Sequence, residues 1–132
     1  MSMQLNKSIH IKKFDYAKRY LEERKNKKAL KILNKLIKST STYDEIWLYL
    51  GITKRRLGDI DGAIESFKMA SELNTSMLEA WGLLTITLID QGNIDMAREI
   101  IEKASQLNPY NPKIQFFRKN LVRIYKKFGP FF

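Results

Sequence analysis

The sequence predicts an all-α protein built from consecutive helix pairs, and two observations support this prediction. The first is a 34-residue repeat, because Trp47 and Gly58 return as Trp81 and Gly92. A fixed period of this length marks stacked units that cannot bury their apolar faces alone. The second is that apolar residues within each unit recur at helical spacing. The positions that agree with their counterparts at this one offset include Trp47, Leu50, Gly58, Ile60, Asp61, Ala63, Glu65, Ala70, Leu73 and Asn74.

The composition predicts a single domain, spanning 1–132, because the chain is too short for two ordinary domains. Cysteine is absent, which rules out disulfides and thiolate nucleophiles. No segment has the roughly 20 apolar residues that a membrane span needs, and we expect a cytoplasmic protein without membrane contact. The net charge of +10 is uneven: residues 1–40 carry +9, residues 41–110 carry −5 and residues 111–132 carry +6.

The first helix pair is predicted at about 10–24 and 27–39, with Asn26 as the turn residue and helix cap. This copy of the repeat is degenerate, because Lys13 stands where the other copies have tryptophan. Terminal repeats commonly depart from the pattern in this way.

The second helix pair is predicted at 43–57 and about 60–73. Thr42-x-x-Glu45 has the capping-box pattern, in which side chains bond free amide groups at a helix start. Gly58 can take the left-handed conformation that often ends a helix, and Asp59 can cap the next helix.

The third pair repeats this order, with a first helix at 78–91, Gly92 after it and Asn93 at the start of the second. Ser76-x-x-Glu79 predicts another capping box. A closing helix is predicted at about 112–127, capped by Asn111 with Pro112 in its first position, and an apolar tail, 128–132, follows.

With these residues in place, the chain resembles the tetratricopeptide repeat family. The family's Trp, Leu, Gly, turn Gly, Ala, aromatic and Ala positions are filled in the second repeat by Trp47, Leu50, Gly51, Gly58, Ala63, Phe67 and Ala70. The resemblance implies a right-handed α-α superhelix of three helix pairs plus a capping helix. The repeats would lie at about 10–43, 44–77 and 78–111.

The resemblance also implies a function, because in this family the first helices of the pairs line a concave surface on which peptides dock. We therefore expect a non-catalytic interaction module that binds a peptide or an amphipathic helix of another protein in a mostly apolar groove. The residues carried over onto that groove are Phe14, Lys18, Leu48, Tyr49, Ile52, Arg56, Leu83, Ile86, Asp90, Phe116, Phe117 and Asn120.

A structural alternative stays open for the aliphatic members of this set, which could instead pack between consecutive repeats. The family subtype that grips chaperone tails is disfavoured, since it needs cations on these faces. Here Phe14, Tyr49 and Leu83 are uncharged and Glu79 is acidic, so Lys18 alone is basic.

An alternative function is association with nucleic acid or ribosomes through the basic ends of the chain. A solvated face that keeps the protein soluble is the competing explanation of the same charges. The candidate residues are Lys27, Lys31, Lys35, Lys38, Lys119, Arg123 and Lys127.

Catalysis, metal binding and cofactor binding are not predicted. His10 is the only histidine and has no acid or thiol at ligand spacing. Asp59-x-Asp61-Gly62 resembles the start of a calcium loop, but the later carboxylates are missing. Finally, the phenylalanines of the tail, 128–132, could enter an apolar groove, and self-association through the groove or the tail is possible.

Overall fold

The structure is a computed structural model that describes the backbone of residues 2–128 and the side chains of residues 7–121 and 123. The described backbone forms seven α-helices and no β-strand, as the sequence predicts. The helices are α1 (Ser2–Glu22), α2 (Asn26–Ser39), α3 (Asp44–Arg56), α4 (Ile60–Leu73), α5 (Leu78–Asp90), α6 (Ile94–Leu107) and α7 (Pro112–Phe128).

The helices group into two compact units. Met1–Leu73 contains α1 to α4, in which α1 packs on α2, α2 on α3, α3 on α4, and α1 also touches α3. Asn74–Phe132 contains α5 to α7, in which α6 packs on both α5 and α7. The prediction of one domain over the whole chain stays a prediction.

The turn inside each helix pair has the same backbone geometry. Gly58 and Gly92 have φ values of 86° and 80°, and the equivalent position of the first pair is Arg24, with φ 63°. The same two backbone hydrogen bonds close all three turns, for example from Gly58 N–H to Arg55 C=O at 3.1 Å and from Asp59 N–H to Lys54 C=O at 2.8 Å. Arg24 therefore adopts a conformation that favours glycine.

The helix caps confirm three predictions. The Oδ1 atom of Asp59 accepts from Gly62 N–H at 3.0 Å. The Oδ1 atom of Asn93 accepts from Met96 N–H at 3.3 Å. Asn111 Oδ1 accepts from the backbone amides of Lys113 at 3.0 Å and Ile114 at 3.1 Å.

The other three cap predictions were wrong. Lys25, not Asn26, occupies the cap position of α2, and Tyr43 and Met77 occupy those of α3 and α5. None of these three helix starts has a side-chain capping bond. The loops before α3 and α5 are held instead by tryptophan, because Trp47 Nε1 donates to Ser41 C=O at 2.7 Å. Its counterpart Trp81 donates to Thr75 C=O at 2.8 Å.

The cores of the second and third pairs contain residues of complementary size at equivalent positions of their two helices. A Cβ built on Gly51 of α3 would lie 2.5 Å from Phe67 Cε1 of α4, so the glycine makes room for the buried ring. The equivalent pair, 34 residues on, is Thr85 and Ile101, both buried. Relative to the second pair, the third pair thus has a larger residue, Thr85, on the first helix and a smaller residue, Ile101, on the second helix.

The first helix is longer than predicted. The 34-residue frame places its start near residue 10, whereas α1 begins at Ser2. In the other pairs a turn precedes the first helix and limits its length, whereas residues 2–22 are helical throughout.

Candidate functional site

The first helices of the first two pairs, α1 and α3, meet along a seam centred on two aromatic rings. Phe14 and Tyr49 pack edge to face with ring centroids 5.5 Å apart and an interplanar angle of 78°. Lys18 Nζ lies 4.6 Å from the centroid of the Phe14 ring, a cation–π distance. Phe14 is buried, while Tyr49 is half-buried. Cavities open on either side of this aromatic pair.

The C-terminal cavity lies between the last turns of α1 and α3 and has a volume of about 200 Å³. Four predicted groove residues come together here. Ile52 supplies apolar surface beside Tyr49, and Lys18 and Arg56 place cationic groups at the wall. Its lining residues are Lys18, Leu21, Glu22, Tyr49, Ile52 and Arg56.

Arg56 also has a structural role that the sequence pattern does not reveal. Its Nη1 atom donates to Leu21 C=O at 3.0 Å and lies 3.5 Å from Asn26 Oδ1. The guanidinium therefore connects α3 with the end of α1 and the start of α2. Its position in the cavity wall is set by these bonds.

The N-terminal cavity lies on the other side of Phe14 and has a volume of about 510 Å³. Sequence reasoning predicted only Phe14 among its lining residues, because the cavity forms where α1 passes the loop between α2 and α3. Ile11 and Tyr43, which are 46% and 41% exposed, give it apolar walls. The complete lining is Lys7, His10, Ile11, Phe14, Ser39, Thr40, Thr42, Tyr43 and Ile46.

The predicted groove residues of the second unit, Asn74–Phe132, lie on α5 and α7. On α5, Leu83 is half-buried, Ile86 is 37% exposed and Asp90 is exposed. On α7, the Phe116 ring is 60% exposed and packs edge to face with Phe117 at 6.4 Å. Both α5 and α7 thus carry apolar side chains that are accessible to solvent.

Two further predicted residues have different surroundings. Leu48 is 5% exposed, so it packs in the interior and offers little contact area. Asn120 is half-buried and donates from Nδ2 to Phe116 C=O at 2.8 Å, which engages it within α7. The alternative of interior packing therefore applies to Leu48 and not to Ile86.

The predicted basic residues also divide between the two units. Lys27, Lys31, Lys35 and Lys38 are all exposed along α2. On α7, Lys119 and Arg123 are exposed, while the side chain of Lys127 lies outside the described residues. The tail, 129–132, lies outside the described residues as well.

Three helix pairs joined by short turns, a 34-residue period and a closing helix define a helical-repeat protein. The chain belongs to the tetratricopeptide repeat family, because the family model described as "Tetratricopeptide repeat" matches residues 54–121, slightly more than half of the chain. The predicted fold class and family are both confirmed. No curated protein matches the sequence.

Several solved structures are similar to the chain in fold. One is a type III secretion complex from Aeromonas hydrophila, with a TM-score of 0.75 and 17% identity, covering 94% of this chain and 87% of that one. Another is the Yersinia enterocolitica secretion chaperone SycD in complex with a peptide of the translocator YopD, with a TM-score of 0.71 and 16% identity, covering 88% of each chain. A third is the second tetratricopeptide domain of human RPAP3 in complex with an HSP70 peptide, with a TM-score of 0.70 and 15% identity, covering 85% of this chain and 93% of that one.

Two properties of the described part of the chain bear on other kinds of site. None of its helices combines the length and the apolar character needed to cross a bilayer. Its histidine and acidic side chains form no group of three or more that could surround a metal ion.

Proposed function

We propose that the protein is a non-catalytic interaction module that binds a peptide or an amphipathic helix of another protein in a mostly apolar groove. One observation carries this proposal. Lys18, Tyr49, Ile52 and Arg56, which the family resemblance assigns to a ligand groove, line a single cavity between α1 and α3. Concave sites with apolar walls and a few convergent polar groups are the usual ligand sites of proteins.

The dimensions of the seam suit a short segment. The stretch of α1 from Lys7 to Glu22, which borders both cavities, is roughly 22 Å long at 1.5 Å per residue. An extended peptide covers this length with about seven residues at roughly 3.3 Å each. Its bulkiest apolar side chain fits the larger N-terminal cavity, and a smaller side chain fits the cavity beside Ile52.

The structural relatives support a peptide ligand, since SycD and RPAP3 are both described in complex with peptides. The residues of this chain favour apolar contacts over the capture of a terminal carboxylate. Tyr49 and Leu83 offer no positive charge, and Glu79 would repel an acidic tail. A ligand anchored by apolar side chains is therefore the better match.

A second copy of the chain is also a possible occupant of the groove, through its apolar tail or another segment. The cytoplasmic location stays a prediction that rests on the composition. Sedimentation of the purified protein over a range of concentrations tests self-association.

Selection of binders from a random peptide library tests the proposed function directly. Selected peptides should bind with little dependence on salt, because apolar burial is not screened by ions. Ile52→Lys should weaken binding about tenfold or more by placing a charge in the cavity beside Tyr49.

Leu107→Lys is the matched control, since Leu107 is 48% exposed and lies outside the predicted groove. It should leave affinity unchanged. Circular dichroism and thermal unfolding establish that both variants are folded. Peptides that bind Ile52→Lys as tightly as the wild type would contradict the proposal.

A further inference from the structure

A second surface, separate from the seam, is formed by the turn between α1 and α2 and the outer side of α2. Residues 24–43 contain seven lysine and arginine residues and no aspartate or glutamate. The five lysines of α2 are all exposed. We call the surface formed by Tyr16, Arg19, Tyr20, Lys25, Lys28, Lys31 and Lys35 the basic face.

The charges of the basic face are largely uncompensated. Of its cations, only Lys25 has a carboxylate partner within the described residues, Glu23, at 3.1 Å. Among the side chains that the structure describes, no carboxylate forms an ion pair with Lys28, Lys31 or Lys35. A depression of about 400 Å³ at the turn, lined by Arg24, Lys25, Asn26, Lys27, Lys28 and Leu57, adds further cations at the start of the same helix.

Aromatic rings lie among these charges. Tyr20 is half-buried, and the ammonium groups of Lys25 and Lys28 lie 6.0 Å and 5.6 Å from its ring centroid. Tyr16, one helical turn earlier on the same side of α1, is 54% exposed, and its ring lies 5.5 Å from Arg19 Cζ. Lys28 of α2 thus contacts Tyr20 of α1, and the exposed Tyr16 ring lies one turn away on the same helix.

We propose that the basic face binds single-stranded nucleic acid. Lys28, Lys31 and Lys35 are neighbours along α2, with about 5–6 Å between the Cβ atoms of successive lysines. This spacing suits successive phosphates of one strand. Tyr16 provides an exposed aromatic surface on which an unpaired base stacks, and the Arg19 guanidinium beside it adds a cation–π contact. Bases within a duplex are already stacked on each other, so this combination selects single strands.

The same observations disfavour two other anionic partners. Lysine is depleted at the cores of protein–protein interfaces, whereas it is a common contact to phosphates. Peripheral membrane helices need apolar side chains beside their cations. The outward positions of α2 between Lys27 and Lys38 are held by lysines and the exposed Asn34.

Fluorescence anisotropy with a labelled single-stranded oligonucleotide of about 16 nucleotides tests the proposal on the full chain. Contacts to three or four phosphates should give a log–log salt slope of about −2 to −3. The double variant Lys31→Gln/Lys35→Gln should reduce the magnitude of this slope by about 1.4, since each lost phosphate contact contributes roughly 0.7. The control Lys68→Gln/Lys103→Gln removes the same charge from α4 and α6 and should leave the slope unchanged.

The stacking contact is tested by a separate variant with a matched control. Tyr16→Ser should lower the affinity about fivefold or more, because loss of one stacked base costs roughly 1–3 kcal/mol. Tyr110→Ser, at a position 96% exposed, should have no effect. Polyglutamate and vesicles containing anionic lipid serve as competitors and should be weak.

Three results would overturn the proposal: no binding at about 50 mM salt, equal losses in both double variants, or wild-type affinity in Tyr16→Ser. Strong competition by polyglutamate with an unaffected Tyr16→Ser variant would identify an acidic protein as the partner. Strong competition by the vesicles would identify a lipid surface. Neither result bears on peptide binding at the seam, which Ile52→Lys tests independently.

Discussion

The Arg56 guanidinium donates a hydrogen bond to the backbone carbonyl oxygen of Leu21 at 3.0 Å, and this bond joins the last turn of α3 to the last turn of α1. The Leu21 carbonyl oxygen also accepts from the Arg24 amide at 3.1 Å within the turn. A single charged side chain thus stabilises the helix end, the turn and one wall of the C-terminal cavity. Arg56, which the family resemblance assigns to the ligand groove, therefore also stabilises the fold.

Replacing Arg56 with methionine should lower the free energy of unfolding by about 1–2 kcal/mol, because a charge-assisted hydrogen bond is lost while part of the apolar stem remains. Chemical denaturation measures the change. Arg98→Met is the control, since the exposed pair between Arg98 and Asp95, at 3.8 Å, should contribute little. Equal stability of the two variants would show that the contact to Leu21 contributes nothing beyond that of a surface ion pair.

Arg24→Gly should stabilise the protein by about 0.5–1 kcal/mol, because relief of left-handed strain exceeds the entropy cost of glycine. Gly58→Ala, at the equivalent turn of the next pair, should destabilise by about 1 kcal/mol. Arg19→Gly, inside α1, should also destabilise by about 1 kcal/mol. Thermal and urea unfolding measure all three, and a loss of stability in Arg24→Gly would contradict the assignment of strain to this turn.

The cap of α4 can be removed and transferred to α2. Asp59→Ala should cost about 1 kcal/mol by freeing the Gly62 amide. Lys25→Asp places the same side chain at the equivalent position of the first pair, where no capping bond exists, and should gain about 0.5–1 kcal/mol. If Lys25→Asp destabilises the protein, its existing contacts with Glu23 and Tyr20 outweigh a cap.

The contact between Gly51 and Phe67 can be exchanged for the arrangement in the third pair. Gly51→Thr alone should cost about 1–3 kcal/mol, because its side chain meets the Phe67 ring. Adding Phe67→Ile recreates the pair of Thr85 and Ile101, and the double-mutant cycle should show favourable coupling of about 1 kcal/mol or more.

Gly82→Ala is the control for the backbone effect of replacing a glycine within a helix. A Cβ built on Gly82 meets no atom within 4 Å, so this substitution should raise stability by up to about 1 kcal/mol. If the effects of the substitutions at positions 51 and 67 on the free energy of unfolding are additive, the two side chains do not interact, and the expected coupling is contradicted.

The fold was predictable because local chemistry repeats. Turn residues such as Gly58 and caps such as Asp59 act on atoms at most five residues away, so their effect follows from their own position. The capping boxes failed for a different reason. Trp47 and Trp81 hold the preceding loops through bonds that reach six residues back, a geometry that the capping-box pattern does not include.

The candidate site was less predictable, because helical periodicity gives the direction of a side chain but not the distance to its neighbour. Helical periodicity assigned both Leu48 and Ile52 to the groove. In the structure Leu48 is buried, whereas Ile52 lines a cavity. The larger cavity depends on how α1 passes Tyr43 in the loop between α2 and α3. Contacts of this kind depend on tertiary packing, about which the repeat carries no information.

The tryptophans that hold the loops have one more consequence, because each compact unit contains one of the two in the chain: Trp47 in Met1–Leu73 and Trp81 in Asn74–Phe132. Their indole emission can therefore be assigned without any added dye. A Trp81→Phe protein reports melting of the N-terminal half alone, and a Trp47→Phe protein reports that of the C-terminal half. The chain thus carries built-in probes that reveal whether its two halves melt together or one after the other.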